Sequence, residues 1–119
     1  MSTLTKWLAL LFSLVLPVYV LAGTPDCDGV DKWASNMAFV HLKNAGITDN
    51  DKIRWEQRKV HRLSSEQIGK DLYRQVHLVT FAEKSGNAIE VITVNDASHE
   101  ECSMSAVDVY VISKHLGGK

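Results

Sequence analysis

Cys27 and Cys102 are the only cysteines in the 119-residue chain, and they stand near the two ends of what remains once an apolar leader is set aside. In residues 1–22 a single cation, Lys6, precedes an apolar run from Trp7 to Val20. Small residues follow at Ala22 and Gly23, and no acid occurs before Asp26. That is the layout of a removable export signal cleaved after Ala22. The run is about 14 residues long and is interrupted by Pro17, short of the roughly 20 residues that span a bilayer. Thr24, not cysteine, follows the small residues, which argues against a lipoprotein. Such a chain folds where disulfides form: outside the cell, or in the periplasm of a Gram-negative bacterium. Two cysteines in that setting most simply make one bridge. The bridge closes a loop of about 75 residues, worth roughly 4 kcal/mol in chain-entropy terms.

Residues 23–119 make one domain with one modest core. Removing the leader removes Lys6 and no acid, leaving 12 Lys and Arg against 14 Asp and Glu. This balance gives no general attraction to nucleic acid or to an anionic membrane.

A helix is expected over residues 30–45, capped by Asp26 or Asp28, with Asp31 in its first turn and Gly46 just past its end. At 100° per residue Val30, Trp33, Ala34, Met37, His41 and Ala45 share its apolar face. His41 then reads as a hydrogen-bonded core histidine. Phe39 points the opposite way, where an exposed aromatic can anchor a partner. Residues 48–51 form a polar turn. Residues 52–63 read as a strand with Ile53 and Trp55 inward and Arg54, Glu56, Arg58 and Arg62 outward, with a bulge near residues 57–60; a helix is the alternative. Residues 64–70 read as a turn region. Strands follow over residues 71–82, 87–94 and 103–114, with a hairpin turn at residues 83–86 and a polar loop at residues 95–101. The expected fold is α+β: one N-terminal helix packed on a three- to four-stranded antiparallel meander, with one disulfide.

No motif specifies a cofactor or a metal. The histidines at 41, 61, 77, 99 and 115 lack H-x-x-x-H spacing and any H-E-x-x-H context. His61 and His77 fall on different strands and invite a cross-sheet pair. His99-Glu100-Glu101 is the best single ligand group, in a loop next to Cys102. No G-x-S-x-G elbow or Gly-rich phosphate loop occurs. Between Lys52 and Arg74 stand seven cations and three acids. On a strand, Arg54, Arg58 and Arg62 make a basic row suited to the carboxylates of an acidic partner.

Ser65-Glu66-Gln67-Ile68-Gly69, following a helix and a strand and preceding a Tyr-containing strand and a hairpin, resembles the cystatin-like layout. In cystatins a Gln-x-Val-x-Gly loop enters a cysteine-protease cleft. Here Gln67 and Gly69 are two residues apart instead of four, and the valine is missing. The resemblance implies a fold and does not by itself imply protease inhibition. The sequence therefore points to a small exported, non-enzymatic domain that binds another protein with an acidic surface through Arg54, Arg58, Arg62 and Phe39, in the manner of an inhibitor or immunity protein. The alternative is a small enzyme or ligand-binding cone with a pocket between helix and sheet that uses His41, His77 or Asp108.

Overall fold

Leu72–Ala82 and Ala88–Ala97 alternate between buried and half-buried residues almost throughout, the period-two pattern of strands covered on one face. They form the centre of the sheet in the computed structural model, which describes residues 23–114 and 116–118. The leader reading falls on residues 1–22, outside the described residues. Four strands, β1 (Lys59–Gly69), β2 (Leu72–Ala82), β3 (Ala88–Ala97) and β4 (Asp108–Ile112), follow one another in the order β1-β2-β3-β4, all antiparallel. One helix, α1 (Trp33–Asn44), packs across β2 and β3. Cys27 and Cys102 are bonded to each other. The α+β meander with one disulfide is the fold read from the sequence.

The helix buries a different face from the expected one. Ala34, Ser35, Ala38, Phe39 and Leu42 are covered, while Val40 and His41 are exposed. Two alanines one turn apart allow close approach to the sheet, and Phe39 and Leu42 then fill the space beside them. Phe39 is therefore core and not an exposed anchor. Its ring meets Trp55 edge-on at 4.6 Å and lies 6.1 Å from Phe81. The helix starts at an uncapped Lys32, and neither Asp26 nor Asp28 caps it. Its end follows expectation. Gly46, at φ +74°, donates to Lys43, and Ile47 donates to Leu42. This is the glycine-terminated C-cap that satisfies the last free carbonyls.

Residues 52–58 are not a strand. Ile53 makes a single bridge with Glu83. Asn50–Lys52 and Trp55–Gln57 are short 3-10 turns, closed by Trp55 Nε1 donating to the Asn50 carbonyl at 2.9 Å. Trp55 can thereby cover Phe39 from outside the sheet. Strand β1 then runs to Gly69, through the region expected to be a turn. Its register shifts between Arg62 and Ser64 and between Gln67 and Gly69, so the bulge lies further along than residues 57–60.

The covered face of the sheet has two halves. Near the β2–β3 hairpin, Val79, Phe81, Ile89 and Val91 join Ala38, Phe39, Leu42 and Ile53 in an apolar cluster. Toward the other end, Gln75 and His77 of β2 lie opposite Asn95 and Thr93 of β3, all buried. Ser35 Oγ on α1 and, in this polar half, Gln75 Oε1, both ring nitrogens of His77, Thr93 Oγ1 and Asn95 Oδ1 have no hydrogen-bond partner among the described residues. Buried polar atoms of this kind are costly, about 1–3 kcal/mol each.

Burial pushes the His77 pKa below its ordinary 6.5, with Asp28 opposing the shift and Arg62 reinforcing it. The folded ring therefore takes up its proton at a lower pH than the unfolded one. Below pH 6.5 the unfolded chain takes up a proton that the folded chain refuses, so stability falls with pH from about 6.5 down to the depressed folded value. His77→Leu is expected to flatten that slope. Chemical denaturation at pH 7.0, 6.0 and 5.0 measures it. Equal slopes in the two proteins would contradict a lowered His77 pKa.

Candidate functional site

Three separate segments meet at the end of the sheet away from the β2–β3 hairpin: residues 23–29, the β1–β2 turn at Lys70-Asp71, and the loop that follows β3. The Cys27–Cys102 bond joins the first to the third. Pro25 is pinned from below. Its carbonyl accepts from Gln75 Nε2 at 3.0 Å and from Arg62 Nη1 at 3.3 Å. Asn95 Nδ2 holds the loop by donating to the Cys102 carbonyl at 3.0 Å, and Trp33 Nε1 donates to the Ser105 carbonyl at 3.0 Å.

His99 closes the arrangement. Its Nδ1 donates to Asp71 Oδ1 and its Nε2 to the Gly23 carbonyl, both at 2.5 Å. A neutral imidazole carries a single N–H and can serve one of these two acceptors; the imidazolium serves both. Asp71 Oδ1 also accepts the His99 backbone N–H at 3.0 Å, and the Tyr73 ring stands edge-on to the imidazole at 5.3 Å. Asp71 occupies the left-handed region, at φ 45°, which costs a non-glycine residue energy and which Asp and Asn tolerate best. Gln67, Lys70, Asp71, Tyr73 and His99 line a hollow of about 320 Å³.

The electrostatics agree with the geometry. The Gly23 carbonyl and the Asp71 carboxylate raise the His99 pKa above 6.5, and the bonds from His99 hold the Asp71 carboxyl below its ordinary 3.8. The histidine's contribution is complete below pH 6.5 and is lost as pH rises through the raised folded value. In an NMR titration the His99 ring is expected to titrate above 6.5 in the native protein. In Asp71→Asn, where Asn still tolerates the positive φ, the midpoint should fall toward the ordinary value. An unchanged midpoint would refute the pairing.

The residues singled out in the sequence are dispersed. Arg58 is half-buried, lies 5.0 Å over the Trp55 ring, and donates to the Val30 and Trp55 carbonyls. Arg62, also half-buried, serves Pro25. Arg54 is exposed beside the β2–β3 hairpin, where Nη2 reaches the Lys84 carbonyl at 3.5 Å. They form no row, because Arg54 precedes β1 and Arg62 points to the helix side, opposite His77. His61 faces Leu78 on the other side of the sheet, so the His61–His77 pair does not form. His41 is exposed on the helix, His77 is buried, and Asp108 is exposed on β4; they line no common pocket. Of the sequence candidates, Cys27 and Cys102 join two of the converging segments, Arg62 holds the Pro25 carbonyl from below, and His99 is the one histidine in the cluster among the described residues. Its partners Asp71 and Gly23 were missed, since they lie 28 and 76 residues away and only the fold unites them. Asp71 did offer a local signal in the turn-like Gly69-Lys70-Asp71.

Among the described residues no group of three or more His, Cys, Asp or Glu could hold a metal ion, and no helix is long and apolar enough to cross a membrane. No protein-family model, curated protein or solved structure matches this chain.

Proposed function

We propose that this chain is a small exported domain that binds another protein, without catalysing a reaction, through the end of the sheet where residues 23–29, the β1–β2 turn and the loop after β3 converge. The observation that carries this reading is the joint fixation of the three segments by the Cys27–Cys102 bond and by His99 bridging Asp71 and Gly23. A surface built from segments distant in sequence and held rigid loses little entropy on association, which favours recognition. Export is supported by the leader and is compatible with the disulfide. A role as an inhibitor or immunity protein fits the size and the rigid end. The cystatin-like resemblance is supported by the order of one helix and four antiparallel strands; Gln67 and Gly69 themselves belong to the end of β1.

We further propose a partner with basic residues in place of the acidic one expected from the sequence. Asp26, Glu66, Glu100 and Glu101 are exposed around this end, against Lys70, the bridging His99 and Arg74, which is bonded to Asp96. Ile68 and Met104 add exposed apolar contact at 41% and 46% accessibility. An acidic rim with apolar spots suits a partner with basic residues, whereas the arginines that suggested an acidic one are engaged by backbone carbonyls. The test is affinity capture from the exported fraction of the source organism, comparing wild type with the Glu100→Lys/Glu101→Lys variant. Wild type should retain a salt-sensitive partner, and the variant should bind it at least about tenfold more weakly with an unchanged melting temperature. Equal capture by both proteins would move the interface elsewhere, and no capture by either would remove the support for a binding role.

A further inference from the structure

The two edges of the sheet are guarded very differently. Strand β1 carries Lys59, His61, Arg62 and Glu66 and two register shifts, the usual devices that keep an edge from pairing with another chain. Strand β4, Asp-Val-Tyr-Val-Ile, has no bulge, no proline and no charge after Asp108. Among the described residues it pairs with β3 alone. Tyr110 and Val111 are 58% and 48% exposed. Beside this edge, on the helix side, lies an apolar hollow of about 220 Å³ lined by His41, Leu42, Ala45, Ile47, Val109 and Val111.

We infer that β4 is the homodimerisation edge of this protein, its occupant being β4 of a second copy related by a two-fold axis through Tyr110. The commitment to a second copy comes from the strand itself. Opposite residues of an antiparallel pair point to the same face, so only registers that keep this parity preserve both faces of the sheet. Among these, the register centred on Tyr110 pairs all five residues. It sets Val109 against Val111 of the second copy and Val111 against Val109, on the face that continues each core. On the other face Tyr110 meets its own counterpart and Asp108 meets Ile112. Aliphatic and aromatic cross-strand pairs are favourable, and no like charges oppose one another. The merged eight-stranded sheet carries both helices on one side and brings the two apolar hollows together over the valine pairs. This surface is distinct from the acidic end, so the two proposals stand or fall separately.

A five-residue edge is smaller than the ~1,600 Å² of a standard stable interface, so association is expected to be weak, with Kd in the range of roughly 10–500 µM. The test uses the oxidised protein in sedimentation equilibrium up to about 1 mM, ample to populate such a dimer. Wild type should dimerise. Tyr110→Lys and Tyr110→Glu, each setting like charges face to face on the axis, should be monomeric when alone and should form a heterodimer when mixed. The exposed position makes both variants compatible with the fold, which circular dichroism verifies, and Val111→Arg offers a second disruption on the other face. A monomeric wild type, variants that dimerise as wild type does, or a Lys/Glu mixture that stays monomeric would each overturn the proposal.

Discussion

Serine at both Cys27 and Cys102 is expected to lower the melting temperature by about 20 °C. The two cysteines are 75 residues apart, and a closed loop of that length restricts the unfolded chain by roughly 4 kcal/mol at 25 °C. Domains of this size unfold with a few kcal/mol to spare, and each kcal/mol moves the midpoint by about 4–8 °C. Calorimetry of the oxidised wild type against the double variant measures the difference. A native-state effect should accompany it. With the covalent tie gone, residues 23–29 keep the bonds to Pro25, the His99 bridge and the burial of Pro25 but lose the link to the loop after β3, so their amides should exchange faster than those of β2 and β3. A drop of less than about 5 °C would mean that the unfolded chain is scarcely restricted by the bond.

Phe81→Ala is the second large change, expected to cost about 3–5 kcal/mol. Phe81 is fully buried and stands at the centre of the apolar half, with Phe39 at 6.1 Å and Val79, Val91 and Leu42 in the same cluster. Strand β2 is held by the Phe81–Ile89 pair with β3 and by β1 up to Thr80, which limits collapse onto the cavity. Urea unfolding should show a lower midpoint with an unchanged slope. As a control, Val40→Ala on the exposed side of α1 should change stability by no more than about 0.5 kcal/mol. A Phe81→Ala cost near that of the control would place the stabilising core elsewhere.

The contrast between these two sites explains what the sequence revealed. Strands β2 and β3 were legible because β-branched and aromatic residues crowd residues 76–81 and 89–94 on either side of the Ser85-Gly86 turn; the alternation of buried Tyr73, Gln75, His77, Val79 and Phe81 with less buried neighbours, polar and apolar alike, appears only in the fold. The helix was legible as an element, through Gly46, but not in its rotation. Ser35 is buried and Val40 is exposed, so hydropathy assigned the wrong face; the small volumes of Ala34 and Ala38, which let the sheet approach, decided the packing. Residues 52–58 misled for another reason. Ile53 and Trp55 alternate with the polar Arg54 and Glu56 as a strand would, yet the indole bond to Asn50 and the Arg58 guanidinium stacked on the indole stabilise tight turns. The acidic end was the least legible part. His99, Asp71 and Gly23 are joined by no local pattern, and only the meander, which returns the β1–β2 turn and the loop after β3 to the same edge, brings them within hydrogen-bonding distance.

The most direct measurement is amide hydrogen exchange on the oxidised protein, free and bound to the partner recovered by affinity capture. Protection confined to residues 23–29, 66–73 and 98–104 is the expected result, with β1 near Arg58 and the hairpin near Arg54 unchanged. Protection centred on residues 52–62, with the acidic end exchanging as in the free protein, would contradict recognition through the three converging segments and return the interface to the arginines.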